Sequence, residues 1–200
     1  LTGTELDLQN DFGAGPHHMP YRWRPLSFEL DGKTYFHERS TVTQQTGFSY
    51  IAQSRNWLPN SIGGIFWFGV DDAAFTVYAP MYSSMTRVPE TYAEGNGDML
   101  TYSPNSAFWA FNRVSNFAYL RYDLISKDVK KVQQEFESRF LRYTPAIDKA
   151  VTELYKSDPA VAREFLTDYS VNIGNQVVNR WLELADFLLV KYMDGNLKPE

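Results

Sequence analysis

Chemistry in this sequence is most readily built where a planar cation, an aromatic ring and a pair of glycines follow one another at a strand end. Arg55 and Trp57 stand two residues apart, Pro59 follows, and Gly63-Gly64 lies directly ahead of the apolar run Ile65–Val70. A guanidinium offers five donors in a fixed fork, a shape suited to fixing a carboxylate or orienting a backbone group or thiolate. An ordinary salt bridge at a strand end uses the same residue equally well. The other candidates offer less. Asp71-Asp72 and Asp98 are acids without a paired carboxylate at site-like spacing. His17-His18 are adjacent, so in an extended chain they point to opposite faces and chelate poorly. No neighbouring spacing resembles a zinc motif, and no metal is expected. Glu94-Gly95-Asn96-Gly97-Asp98 reads as a turn rich in positive φ, because a calcium loop needs more oxygen ligands at regular spacing. There is no Gly-rich phosphate loop and no Gly-x-Ser-x-Gly elbow, and no cofactor is expected.

Composition narrows the classes further. The 200 residues suit one domain or the second half of a larger one, and 44% hydrophobic against 22% charged residues supports a globular core rather than disorder. A net charge of -5 argues against nucleic acid, whose phosphates need clustered Lys and Arg. No apolar run approaches the ~20 residues that cross a bilayer, so no membrane span is expected. The start, LTGTELDLQN, has neither a basic nor an apolar leader region and no initiator Met, which fits a processed or excised fragment. With no cysteine, these residues exclude a disulfide, a Cys-based zinc site and a cysteine nucleophile of their own. Aromatics at 16% fit a large aromatic core or, more sharply, a groove for sugars or peptides.

The elements that must position Arg55 follow from pattern. Ile65–Val70 and Phe75–Tyr82 predict a buried hairpin turning at Asp71–Ala74, with Pro80 ending its regular pairing. Ile65–Phe68 is apolar on both faces, so this sheet is expected to be covered on both sides. Phe48–Ala52 predicts the neighbouring strand that delivers Gln53 and Arg55, and Thr41–Thr46 is a polar, β-prone stretch. Leu26–Leu30, Asp31-Gly32 and Lys33–His37 predict a tight hairpin, while residues 1–25 read as irregular. Ser83–Ser103 is a long connection of the kind that borders sites. Helices are then expected to open at Ser103-Pro104, Ser126, Thr144-Pro145 and Asp158-Pro159. Gly174 is expected to weaken the fourth, and Asp194-Gly195-Asn196 to end the last stripe. Short links imply antiparallel neighbours. Strands over 20–82 followed by helices over 103–195 predict an α+β fold for 1–200, as a single domain or a C-terminal segment.

Several ordered blocks, GFSYIAQSRNWLP, GGIFWFGVDDA, YAPMY, PETYAEGNGDM, SAFWAFNRVSNFAYLRY and VKYMDGNLK, together resemble the C-terminal part of bacterial dipeptidases with an N-terminal cysteine nucleophile. These are N-terminal-nucleophile hydrolases, related to penicillin V acylase and bile-salt hydrolase, and the likeness runs from about residue 20 onwards. The resemblance implies a four-layer αββα sandwich of two stacked antiparallel sheets, of which this chain is part. It implies amide hydrolysis without metal or cofactor: a terminal cysteine attacks, its own α-amino group is the base, and hydrogen-bond donors hold the oxyanion. Since the chain lacks cysteine and begins at Leu1, the nucleophile and the first half of the sheets are expected upstream, and the chain alone to be inactive. Its partner would be that upstream half and its substrate a dipeptide. The resemblance would make Arg55 the arginine set against the nucleophile, put Trp57 and Asn96 at the pocket rim, and imply a periplasmic or secreted location. Two alternatives stay open: an acylase acting on non-peptide amides, and a non-catalytic module using Trp57, Trp67 and Tyr78 as a platform for glycans or peptides. The fragment reading predicts an incomplete sheet with an exposed apolar edge; the module predicts a well-folded monomer that binds ligand.

Overall fold

In the computed structural model, residues 14–19, 27–36 and 41–199 are described. Most of the stretch read as irregular, with Gly13, Pro20, Pro25 and Leu26, lies outside them, as do His37–Arg39. The first strands are β1 (Phe28–Leu30) and β2 (Lys33–Tyr35), joined through Asp31-Gly32 with both residues at positive φ, as a two-residue hairpin requires. Both strands are exposed throughout. Thr41–Thr46 forms bends and a turn rather than a strand.

The larger sheet has the order β3 (Phe48–Ser54), β4 (Gly64–Val70), β5 (Ala79–Tyr82), antiparallel throughout, with a short helix α1 (Asn60–Gly63) between β3 and β4. The second arm of the expected hairpin is shorter than the pattern suggested. Asp71 turns the chain at φ 64°, and Phe75–Tyr78 leave the ladder because their backbone is bound by the helical layer. Gln133 donates to the Thr76 carbonyl at 2.6 Å, and the Tyr78 amide donates to Glu137 at 3.2 Å. Pro80 does not end β5; it stands in register with Trp67, tolerated because β5 is an edge strand.

Three helices follow: α2 (Ala107–Leu120), α3 (Tyr122–Ser157) and α4 (Pro159–Tyr192). They are fewer and longer than the local signals predicted. Ser103 is not a cap; α2 starts after Ser106, and the Ser103 hydroxyl donates to Asn96 instead. Ser126 and Thr144-Pro145 lie inside α3. Thr144 donates back to the Phe140 carbonyl at 2.8 Å, as a mid-helix threonine does. Pro145 removes only the bond to the Leu141 carbonyl, on a residue 65% exposed and so open to water. The buried stripe Phe136, Phe140, Asp148, Val151 runs straight through, and tertiary packing holds the helix together across the proline. Asp158 caps α4 as expected, accepting from Ala160 and Val161 at 2.9 and 3.1 Å. Gly174 does not interrupt α4. A Cβ there would lie 2.5 Å from Pro89 and 3.2 Å from Met81, so glycine lets the helix press against the connection and β5. Asp194 and Gly195, both at positive φ, end the helical run.

The fold is therefore α+β, antiparallel strands then helices. One core joins Val70, Phe75 and Val77 to Phe111, Val132, Val177 and Trp181, and a smaller one joins Ile62, Ile65 and Tyr82 to Val151 and Leu166. A second sheet stacked on β3–β4–β5 is not among the described residues. Trp67 and Phe68 are half-buried rather than covered on both sides, and β3 is exposed along nearly its whole length.

Candidate functional site

The face of the sheet carrying Ile51, Gln53, Trp67 and Tyr82 leads to Arg55, the first residue past β3. Arg55 is buried, 6% exposed, and its fork turns inward. Nε donates to the Gly63 carbonyl at 3.2 Å and one terminal nitrogen to the Ile62 carbonyl at 2.7 Å. The other pairs with Asp148 of α3. Tyr82 donates its hydroxyl to the second Asp148 oxygen at 2.7 Å. Burial, then the Asp148 carboxylate, pushes the Tyr82 phenol well above its ordinary range. Gly63 must be glycine for this loop to close, since a Cβ would stand 2.7 Å from the Arg55 carbonyl. The cluster is a charge-assisted clamp, fixing the loop after β3 onto α3.

Beside it, between β3–β4 and α3, lies a hollow of ≈ 400 Å³. Ile51, Gln53, Trp67, Tyr78, Glu137 and Leu141 line it. The Trp67 indole donates to Gln53 at 2.9 Å, and the Tyr78 hydroxyl bonds the Ser49 hydroxyl at 2.9 Å. Burial pushes the Glu137 carboxyl up from its usual value, with the Tyr78 amide opposing. Glu137, Leu141, Thr144 and Asp148 recur along one side of α3, so hollow and clamp are ~16 Å apart from end to end at ~1.5 Å per residue.

The remaining expected residues lie apart. Trp57 follows Arg55 in the same loop, 74% exposed and outside the hollow. Asn96 ties the long connection together: its amide donates to the carbonyls of Glu90 and Asn105, at 3.3 and 2.8 Å, and accepts from Ser103 at 2.7 Å. Gly95 and Gly97 take the positive φ that the turn reading anticipated. Asn96 shares no hydrogen bond with Arg55 or Trp57 among the described residues. Asp71 and Asp72 are each 1% exposed. Asp71 accepts from Asn112 and Ser115 at 2.9 and 2.6 Å; Asp72 accepts from Ala74 and Tyr119 at 2.9 and 2.6 Å. Burial raises both carboxyls, and their neutral donors fasten α2 to the end of β4. His17 faces Asp123 at 3.7 Å, and no group of three or more His, Asp or Glu able to hold a metal occurs among the described residues. Among them, too, no helix is long and apolar enough to cross a membrane.

Sequence reasoning did not single out Asp148, Tyr82 or Glu137. A usable signal existed for Asp148, an acid on the stripe Phe140, Thr144, Val151 that is otherwise buried. A buried acid on such a stripe needs a cation, and Arg55 is the partner.

On the opposite face of the sheet, Tyr50 stacks on Phe66 and Phe48 on Phe68, with centroids 4.4 and 5.9 Å apart. Phe48 and Tyr50 remain 60% and 54% exposed, and the outer edge of β3 pairs with no strand among the described residues. A family model described as peptidase family C69 matches residues 1–135. No curated protein matches the chain.

Proposed function

Because the chain belongs to peptidase family C69, we propose that it is the C-terminal part of a cysteine dipeptidase whose nucleophile, an N-terminal cysteine, lies upstream. Cysteine-type peptidases are hydrolases, and that coarser assignment follows from membership. The observation that supports the finer reading is the asymmetry of the β3–β4–β5 sheet. At the β5 edge, the Tyr82 amide is met by the Ser170 hydroxyl of α4 at 3.1 Å, and Pro80 blunts further pairing. The β3 edge, FSYIAQS, carries no proline and no charge, and among the described residues no strand covers it. An exposed aromatic edge strand of this kind suits a sheet continued by another segment, and the upstream half is the segment we propose. In this reading Arg55 holds the β3 end against which the nucleophile sits, Trp57 stands at the rim of the substrate cleft, and Asn96 sets the shape of the loop that borders it.

The test is made on the complete gene product. Mass spectrometry is expected to find a cysteine at the mature N-terminus, and alkylation with iodoacetamide to abolish dipeptide turnover. Turnover that survives full alkylation would refute the reading, and turnover of non-peptide amides alone would assign the acylase alternative. A second reading, a ligand-binding module, draws on one observation: Trp67 and Tyr78 line the same hollow.

A further inference from the structure

We propose that the hollow between β3–β4 and α3 is a binding site for a small ammonium ion carried on an aliphatic body, with Glu137 as its counter-ion. This rests on the hollow itself and does not need the hydrolase reading. Its walls are aliphatic and aromatic: Ile51 from β3, Leu141 from α3 and the Trp67 indole. A volume of ≈ 400 Å³ lies at the small end of ligand sites and fits a body the size of an amino-acid amide.

The polar groups decide the sign of the ligand. The indole N–H is donated to Gln53, and the Tyr78 hydroxyl is hydrogen-bonded to the Ser49 hydroxyl. Among the described residues no lysine or arginine lines the hollow, so the charge they present to it is the Glu137 carboxylate. One of its oxygens accepts the Tyr78 amide; Oε2 has no donor among the described residues. A carboxylate half-buried without a counter-charge repels anions and favours a cation. The Trp67 indole lines the same hollow, and an ammonium group seated over its ring would gain a second attraction. Gln53 accepts through its carbonyl and keeps its amide N–H groups for a ligand carbonyl. A sugar is the poorer fit, because hydroxyl-rich ligands need many open donors and acceptors, and here two of the ring-bearing polar groups are already paired.

The full-length natural protein is titrated with leucinamide and with N-acetyl-leucinamide, which has the same body but no charge, by calorimetry and tryptophan fluorescence. Leucinamide is expected to bind at least about tenfold more tightly. Glu137→Gln keeps an oxygen for the Tyr78 amide and is expected to bring that ratio to about one. Leu141→Lys, at an exposed helix position, is expected to abolish leucinamide binding while leaving the melting temperature unchanged. Equal affinity for the two probes, a preference that survives Glu137→Gln, binding unaffected by Leu141→Lys, or no binding of either probe would each overturn the proposal.

Discussion

Removing Asp148 is the most informative perturbation of the clamp. Asp148→Ala leaves the Arg55 guanidinium, 6% exposed, without its anion and the Tyr82 hydroxyl without its acceptor. Breaking a buried pair on one side costs ~3–5 kcal/mol, because the surviving charge stays desolvated. For a chain of this size each kcal/mol lowers the melting temperature by roughly 2–4 °C, so the loss is about 6–20 °C. Arg87 provides the internal control. It bridges Glu164 and Asp168 with the side chains 47–57% exposed, so water screens the pair and Arg87→Ala is expected to leave the melting temperature almost unchanged. Urea unfolding of the two variants, read at constant m, measures the difference. If Asp148→Ala loses no more than Arg87→Ala, the clamp is not what fixes the loop after β3. The double variant Arg55→Met, Asp148→Leu separates stability from chemistry: two apolar side chains in place of a buried pair are near neutral or stabilising. It is expected to recover the part of the loss that comes from the uncompensated charge, while the Tyr82 hydroxyl and the Ile62 and Gly63 carbonyls stay unpaired. In the full-length natural protein it is expected to abolish dipeptide turnover if Arg55 has the role proposed for it beside the nucleophile; unchanged turnover removes Arg55 from the mechanism.

Two further outcomes follow from other parts of the molecule. Gly174→Ala improves helix propensity by ~1 kcal/mol but drives a methyl into Pro89 and Met81, and overpacking of ~1–3 kcal/mol is expected to win; a raised melting temperature would show that the connection yields there. Asp72 is a carboxyl whose folded-state pKa is raised, so the stability it contributes is complete below the unfolded value of about 4 and is lost as pH rises through the folded value. Asp72→Asn, which can still accept from Ala74 and donate to Tyr119, is expected to flatten the fall in stability above about pH 4 in urea titrations, and an unchanged slope would contradict the burial argument.

What could be read from the sequence is what local physics decides alone. The Asp31-Gly32 hairpin, the Asp158 cap, the Asp194-Gly195 terminator and the order of strands before helices each rest on backbone preferences that no distant contact reverses. The failures share one cause. Thr144-Pro145 and Gly174 carry local break signals, yet each sits on a stripe packed against the sheet or the connection, and burial outweighs one lost hydrogen bond or a weak propensity. Phe75–Tyr78 has strand composition, but Gln133 and Glu137, some sixty residues on, claim its backbone. The site was half legible for the same reason. Arg55 announced itself by type and place, whereas Asp148, 93 residues away, acquires meaning only when α3 is laid along the sheet.

That placement bears on where the functional unit ends. The family model stops at residue 135, in the middle of α3, at no break in the helix. Thirteen residues further on, Asp148 supplies the counter-charge to Arg55, which lies inside the matched region. Ser170 satisfies the outer edge of β5, and Val177, Trp181, Leu184 and Leu188 share the core with Val70 and Phe75. Each of these groups closes a requirement created within the first 135 residues: a buried cation, an unpaired edge amide and the apolar side of a sheet. None can be met by water without a penalty of the order of a lost buried hydrogen bond or more. The long α3–α4 hairpin is therefore part of the same folding unit as the sheet, and the geometry around Arg55 depends on residues beyond the stretch by which the family is recognised.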